Sequence, residues 1–142
     1  MGERTDMKKG KAQIEQDIYD ALTGFFTGTI GGTLYMSDTR PRDSATEDAV
    51  IVAGAPSGEQ WQTGRVRILV FVQDIDNGTG SPVKDTDRVQ QIEAMAEPII
   101  DTLHEALPEY AFELFEAPDH GQVPTTSEHF VNIHLQYTRQ TF

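Results

Sequence analysis

The 142-residue sequence contains no cysteine. This excludes disulfides, thiolate metal ligands and cysteine nucleophiles, and it accords with a reducing compartment. No apolar run approaches the ~20 residues that a membrane-spanning helix needs, and the start, MGERTDMKKGKAQIEQ, lacks the apolar centre of a secretory signal. The expectation is a soluble, non-secreted protein without a membrane partner. Positive charge is also scarce, with 11 Lys and Arg against 23 Asp and Glu and a net charge of −12. Such a surface repels phosphate backbones, so specific nucleic-acid binding is not expected. Lys8, Lys9 and Lys11 are the clearest basic cluster, and they fall in a polar arm over residues 1–11 that is expected to be mobile.

What is present is patterned hydrophobicity over residues 12–142, enough for one domain that buries about two-thirds of its unfolded surface. In AQIEQDIYDALTGFF, Ile14, Ile18, Leu22 and Phe25 recur at helical steps, and Gly24 is expected to end that helix. Strands are predicted at Thr33 to Met36, Ala49 to Ala53 and Gln60 to Val72. In the last of these, Val66, Ile68, Val70 and Val72 share one face, opposite Arg65, Arg67, Leu69 and Phe71. The polar segment SDTRPRDSATED between strands reads as a long exposed loop. DRVQQIEAMAEPIIDTLHEAL is the strongest helix, with Asp87 as its expected N-cap. Pro98 interrupts its ladder while the apolar stripe stays in phase, which predicts one helix bent between Ala94 and Pro98. Tyr110, Phe112 and Leu114 alternate with Ala111, Glu113 and Phe115, and Val131 to Thr138 alternates likewise, which predicts a closing hairpin joined by APDHGQVPTTS. The order α-β-β-β-α-β-β is buried best by an α+β two-layer sandwich, a mostly antiparallel sheet of about five strands with both helices on one face.

The side chains offer little that points to bond-making chemistry. DIDNGTGSPVKDTD, residues 74–87, holds four aspartates, yet counted from Asp74 it puts Gly78 at the fifth and Thr79 at the sixth position of a calcium loop, where a ligand and a glycine are needed. Its Asp, Asn, Gly and Ser content is turn chemistry, and weak cation binding is the minor alternative. His129 and His134 are five apart on a strand and so face opposite ways. His104 lies on a helix without a paired-histidine spacing, and His120 lies in a loop; rim positions are expected for all four. Glycine-rich phosphate loops and nucleophile elbows are missing. No catalytic residue, cofactor or metal is therefore assigned. Trp61, the single tryptophan, shares strand parity with Arg65, Arg67 and Phe71. Aromatic and Arg side chains are enriched at protein interfaces, so these four form a candidate contact surface, the alternative being that Trp61 covers the end of the core.

The run IYDALTGFF, then GGTLYMSDTRPRDSATEDAVIVAG, RVRILVFVQD, RVQQIEAMAEPIIDTLHEAL and finally FVNIHLQYT resembles the small tail-completion and tail-terminator proteins of long-tailed bacteriophages and prophages. The likeness is one of element order over residues 14–138. It implies a non-enzymatic assembly protein that self-associates, often as a hexameric ring, and contacts the tail tube and head–tail connector proteins. It also implies a cytoplasmic site of assembly and, where the phage is active, a place in the virion tail. The polar insertion from Asp74 to Asp87 and the loop near His120 depart from the pattern. A small-ligand-binding or regulatory α+β domain is the alternative, and it would show a deep apolar pocket with converging polar groups.

Overall fold

The computed structural model describes residues 8–141. Helix α1 (Lys11–Phe26) forms on the stripe Ile14, Ile18, Leu22 and Phe26, all buried. Its end differs from the expected one, because Gly24 lies exposed inside the helix. Phe26 is one four-residue step beyond Leu22 and drops into the core, and that burial outweighs the roughly 0.5–1 kcal/mol that a helical glycine costs. The left-handed residue beyond the helix is Gly28, at φ 82°.

Strands β1 (Leu34–Met36), β2 (Ala49–Ala53) and β3 (Trp61–Gln73) follow at nearly the expected positions. β1 pairs parallel with β2, and β2 pairs antiparallel with β3. A parallel pair cannot be closed by a tight turn, so the chain between Met36 and Ala49 has to travel back along the sheet. That requirement is the physical reason for the long polar segment. Glu15 of α1 fastens the shared end of the pair: its buried carboxylate accepts from the Ser37 N–H at 2.9 Å, the Ser37 hydroxyl at 2.8 Å and the Ala53 N–H at 3.1 Å.

After β3 the aspartate-rich segment folds into a small hairpin, β4 (Ile75–Asp76) and β5 (Pro82–Val83), and then enters α2 (Thr86–Glu93). Thr86 takes the first helical position, so the cap falls on Asp85 rather than Asp87, with the Asp85 carboxylate accepting from the Arg88 N–H at 3.2 Å. Asp87 sits in the first turn, where a negative charge complements the helix dipole. The expected bend is a break of two residues, Ala94 and Met95, after which α3 (Ala96–Ala106) begins. The Met95 N–H closes a tight turn onto the Ile92 carbonyl at 3.0 Å, and Pro98 lands in the first turn of α3, where its missing N–H costs no intrahelical bond. The buried stripe Val89, Ile92, Ala96, Ile99, Leu103 continues across the break.

The closing segment contains β6 (Tyr110–Leu114), β7 (Asp119–Gln122) and β8 (Glu128–Gln140). The expected hairpin thus carries an additional strand in its connection. β6 pairs with β8 over residues 135–139 and β7 pairs with it over 129–132, so the two lie end to end along the same side of β8. The main sheet has the order β1-β2-β3-β8-β6. β3 and β8 are paired through thirteen residue pairs, from Trp61 with Gln140 to Gln73 with Glu128. One face packs against the helices in a two-layer α+β sandwich whose centre is Ile14, Ile18, Ile51, Ile68, Ile99 and Ile133. Of the arm expected over residues 1–11, residues 1–7 lie outside the described residues. Lys9 exchanges two backbone hydrogen bonds with the Gln62 amide and pairs with Asp17 at 2.6 Å, while Lys11 opens α1.

The Tyr137 hydroxyl is buried on the helix side without a hydrogen-bond partner among the described residues, and burial pushes its pKa up to about 12. A Cβ at Gly64 would lie 2.5 Å from that hydroxyl, so glycine is required there by close approach. Y137F is expected to hold or raise the unfolding free energy by up to about 1 kcal/mol, because it removes an unpaired buried polar group. G64A is expected to cost about 1–3 kcal/mol by overpacking, and less in the Y137F background. Urea denaturation of the two single variants and the double variant checks both.

Candidate interaction face

The sheet face turned away from the helices is the part of the molecule that the core does not use. Strand parity puts Trp61, Arg65, Arg67, Leu69 and Phe71 of β3 there, beside Val50 and Val52 of β2, Phe130, His134 and Gln136 of β8, and Glu113 of β6. All four residues singled out in the sequence therefore share this face. Trp61 is 51% exposed, which places it on the surface instead of over the end of the core. Arg65 and Arg67 are exposed, and neither makes an ion pair among the described residues. Phe71 is different: it is half-buried beneath the guanidinium of Arg40, 4.0 Å from its ring centre.

Arg40 belongs to the segment that returns from β1 to β2, and its contacts show that the segment crosses this same face. Its Nε donates to Asp48 at 2.9 Å, and its two terminal nitrogens form a fork onto the Glu128 carboxylate at 3.2 and 3.1 Å. Gln73 adds a bond to Glu128 at 2.7 Å. Both acids are buried. Burial alone would raise the Asp48 carboxyl, but hydrogen bonds from Ser44, the Thr33 N–H, Arg40 and Thr46 outweigh it and hold the group below its ordinary value. Glu128 is held down in the same way, with burial opposed by the bonds from Arg40 and Gln73. The network closes the Phe71 end of the face and leaves the Trp61 and Arg65 end open.

At the open end the aromatic centre is Phe115, 39% exposed, just past the end of β6. The Arg65 guanidinium lies 3.6 Å over its ring, and the His134 ring centre is 4.8 Å from it. Parity had already set Phe115 and Glu113 on one face of their strand, which was the available signal for them. His134 is 3% exposed and bonds the Glu116 carboxylate at 3.1 Å, so it is a buried residue and not a rim one. The cause is local: Phe115 and the Glu116 side chain fold back over β8. Two hollows border the cluster, one of about 380 Å³ lined by Gly54, Ser57, Thr63, Gly64, Arg65 and Gln136, the other of about 150 Å³ lined by Val52, Arg65, Arg67 and His134.

The remaining histidines go separate ways. His129 faces the helix side and bonds Asp74 at 2.7 Å; His104 accepts from the Phe112 N–H at 2.9 Å; His120, in β7 and not a loop, touches Lys84 and Glu93. Among the described residues, no three His, Asp or Glu side chains gather where they could hold a metal ion. In the aspartate-rich hairpin the side-chain oxygens serve the turn itself. Asp76 accepts from the Gly78 and Gly80 N–H groups, and Asn77 from the Thr79 N–H and hydroxyl. No helix among the described residues is long and apolar enough to cross a membrane.

No family model matches the chain, and no curated protein matches it. Solved structures do resemble it. One, under a designation that states no activity, covers 95% of this chain and 99% of its own, with a TM-score of 0.50 and 15% sequence identity. At that identity the likeness shows the fold alone, an α+β unit shared over nearly the whole of both chains.

The Arg40 network makes stability acid-sensitive. Because the Asp48 and Glu128 pKa values are depressed in the folded state, their contribution is complete above the ordinary carboxyl range near pH 4 and is lost as pH falls through the depressed values. The melting temperature is expected to drop on acidification below about pH 4, and D48N/E128Q, less stable at neutral pH, is expected to show a shallower drop. At neutral pH, R40M is expected to cost about 3–5 kcal/mol, since it strands two buried carboxylates. Thermal melts of the three proteins across pH check these outcomes. Millimolar calcium is expected to leave the melting temperature unchanged.

Proposed function

We propose that this chain is a non-enzymatic assembly protein of the tail-terminator or tail-completion kind, working by ring-like self-association and by contacts with tail-tube and head–tail connector proteins. One observation carries the reading: among the described residues, half of a long two-stranded ladder is left without a covering layer. There the chain exposes Trp61 and Phe115 together with Arg65, which lies over the Phe115 ring, and Arg67, neither arginine making an ion pair among the described residues. Buried carboxylates elsewhere are engaged in holding the chain in place, as at Glu15, Asp48 and Glu128. Exposed aromatic and arginine groups on a flat sheet are the composition of a protein contact. The two small open hollows beside them are a poorer fit to a metabolite pocket, which buries most of its ligand.

The net charge of −12 supports the same role, because an acidic lining around a channel keeps phosphate backbones from adhering. The chain would act in the cytoplasm during assembly and remain in the virion tail.

Native mass spectrometry and negative-stain microscopy of the chain mixed with a tail-tube protein from the same source test this reading. The expected outcome is a ring of more than two copies, lost in W61A/R65A/R67A while circular dichroism stays unchanged. Retention of a metabolite in the hollow at Gly54 and Arg65, with no assembly on the tube protein, would replace the proposal with the ligand-binding alternative.

A further inference from the structure

The open sheet face is divided by charge along a line. β8 runs up its middle and presents uncharged groups outward at Asn132, Gln136 and Thr138. β3 lies on one side with Arg65 and Arg67, and β6 lies on the other with Glu113, followed by Glu116. All four charged residues are exposed. The register sets them in rows: Gln136 of β8 stands between Arg65 and Glu113, and His134, bonded to Glu116, stands beside Arg67. With strands spaced about 4.8 Å apart, the backbones of β3 and β6 are about 10 Å from each other across β8, and the Arg65 guanidinium and the Glu116 carboxylate both reach inward from them, onto Phe115 and His134. Phe115 touches both the Arg65 guanidinium of β3 and the His134 ring of that middle strand.

We infer that this face is self-complementary and that the free chain pairs through it with a second copy, about a two-fold axis running along β8. Rotation about such an axis exchanges the two sides of the strand. It sets β3 of one copy over β6 of the other, so that Arg65 and Arg67 meet the partner copy's Glu113 and Glu116, twice over. Phe115 falls near the axis, and on pairing Arg65 moves off its own Phe115 ring to the partner copy's carboxylates, which frees the ring to pack against its counterpart. The result has an aromatic centre and a charged rim, the usual anatomy of a protein interface, in the aligned geometry of sheet-on-sheet packing. An axis across the strands would set β3 over β3 and bring like charges together, which is unfavourable. The inference rests on reading the face as a protein-contact surface and names its occupant as this chain itself.

Sedimentation velocity and native mass spectrometry of charge variants test it. Wild type is expected to be a dimer, and both R65E/R67E and E113K/E116K to be monomeric, with dissociation constants raised about tenfold or more by like-charge contacts. An equimolar mixture of the two variants is expected to form a one-to-one heterodimer, and R65E/R67E/E113K/E116K to recover the homodimer. The swap readouts keep the test valid should one double variant fold poorly, which circular dichroism would reveal. Dimerisation is expected to weaken from about 0.1 M to about 1 M salt, as the screening length falls from ~10 Å to ~3 Å. A dimer indifferent to all four charges, or no heterodimer in the mixture of two folded variants, overturns the pairing and leaves the assembly reading standing. A wild type that stays monomeric up to its solubility limit also overturns the pairing; rings formed on tail-tube protein would then still carry the assembly reading. Retention of a single-stranded DNA oligonucleotide by wild type and not by R65E/R67E, without dimers, overturns it in favour of a nucleic-acid contact.

Discussion

The thirteen residue pairs that join β3 to β8 hold the rest of the molecule in place. Every other strand of the main sheet attaches to one of these two, either directly or through β2. The pairing brings Val66, Ile68 and Val70 beside Leu135, Ile133 and Val131 on the helix side, with α2 against β3 and β8, α1 against β1 and β2, and α3 against β6, all in one buried core. A slip of one residue would turn the whole set toward solvent, so burial of one face enforces the register of the other. The positions of Arg65, Arg67 and Trp61 outside are thus fixed by residues whose side chains point to the opposite face.

Charges inside the protein are used as clamps. Glu15 reaches from a helix to the ends of two strands, and Arg40 joins a crossing loop to Asp48 and Glu128. Both devices act where the topology leaves backbone groups and a long segment that no regular ladder could satisfy. A parallel pair next to antiparallel neighbours demands a traverse, the traverse is polar because it runs on the surface, and a half-buried arginine with two buried carboxylates keeps it down. Such an arrangement gains specificity of position more readily than net stability, since each ion must first be stripped of water.

Most of the architecture was legible in the sequence because it follows from period. Alternation in RVRILVFV placed its two faces correctly, and the helical stripes identified α1 and the α2–α3 segment. What period could not supply were the terminations and the extra strand. Gly24 has the chemistry of a helix end, but burial of Phe26 carries α1 past it, and Asp85 holds the cap in place of Asp87 because a cap depends on where the first turn begins. β7 is four residues of DHGQ, with no alternation to find, and its existence depends on the length of β8 that β6 leaves unpaired. Of the candidate site, Trp61, Arg65 and Arg67 were readable from parity. The roles of Arg40, Phe115 and His134 arise from contacts between segments distant in the chain, as the eighty-eight residues separating Arg40 from Glu128 illustrate.

The division of the open face into a basic and an acidic half has a geometric corollary. Objects joined by a two-fold axis have indistinguishable ends, whereas a cap on a growing tube must present one surface to the tube and another to what arrives next. A surface that satisfies itself is also a surface withheld. Under the assembly role and the pairing proposed above, a strip of β3 that serves both a matching copy and a ring neighbour would make the matched state a reserve that prevents closure until a tube end competes for it. The affinity of the pair would then set the threshold at which capping begins.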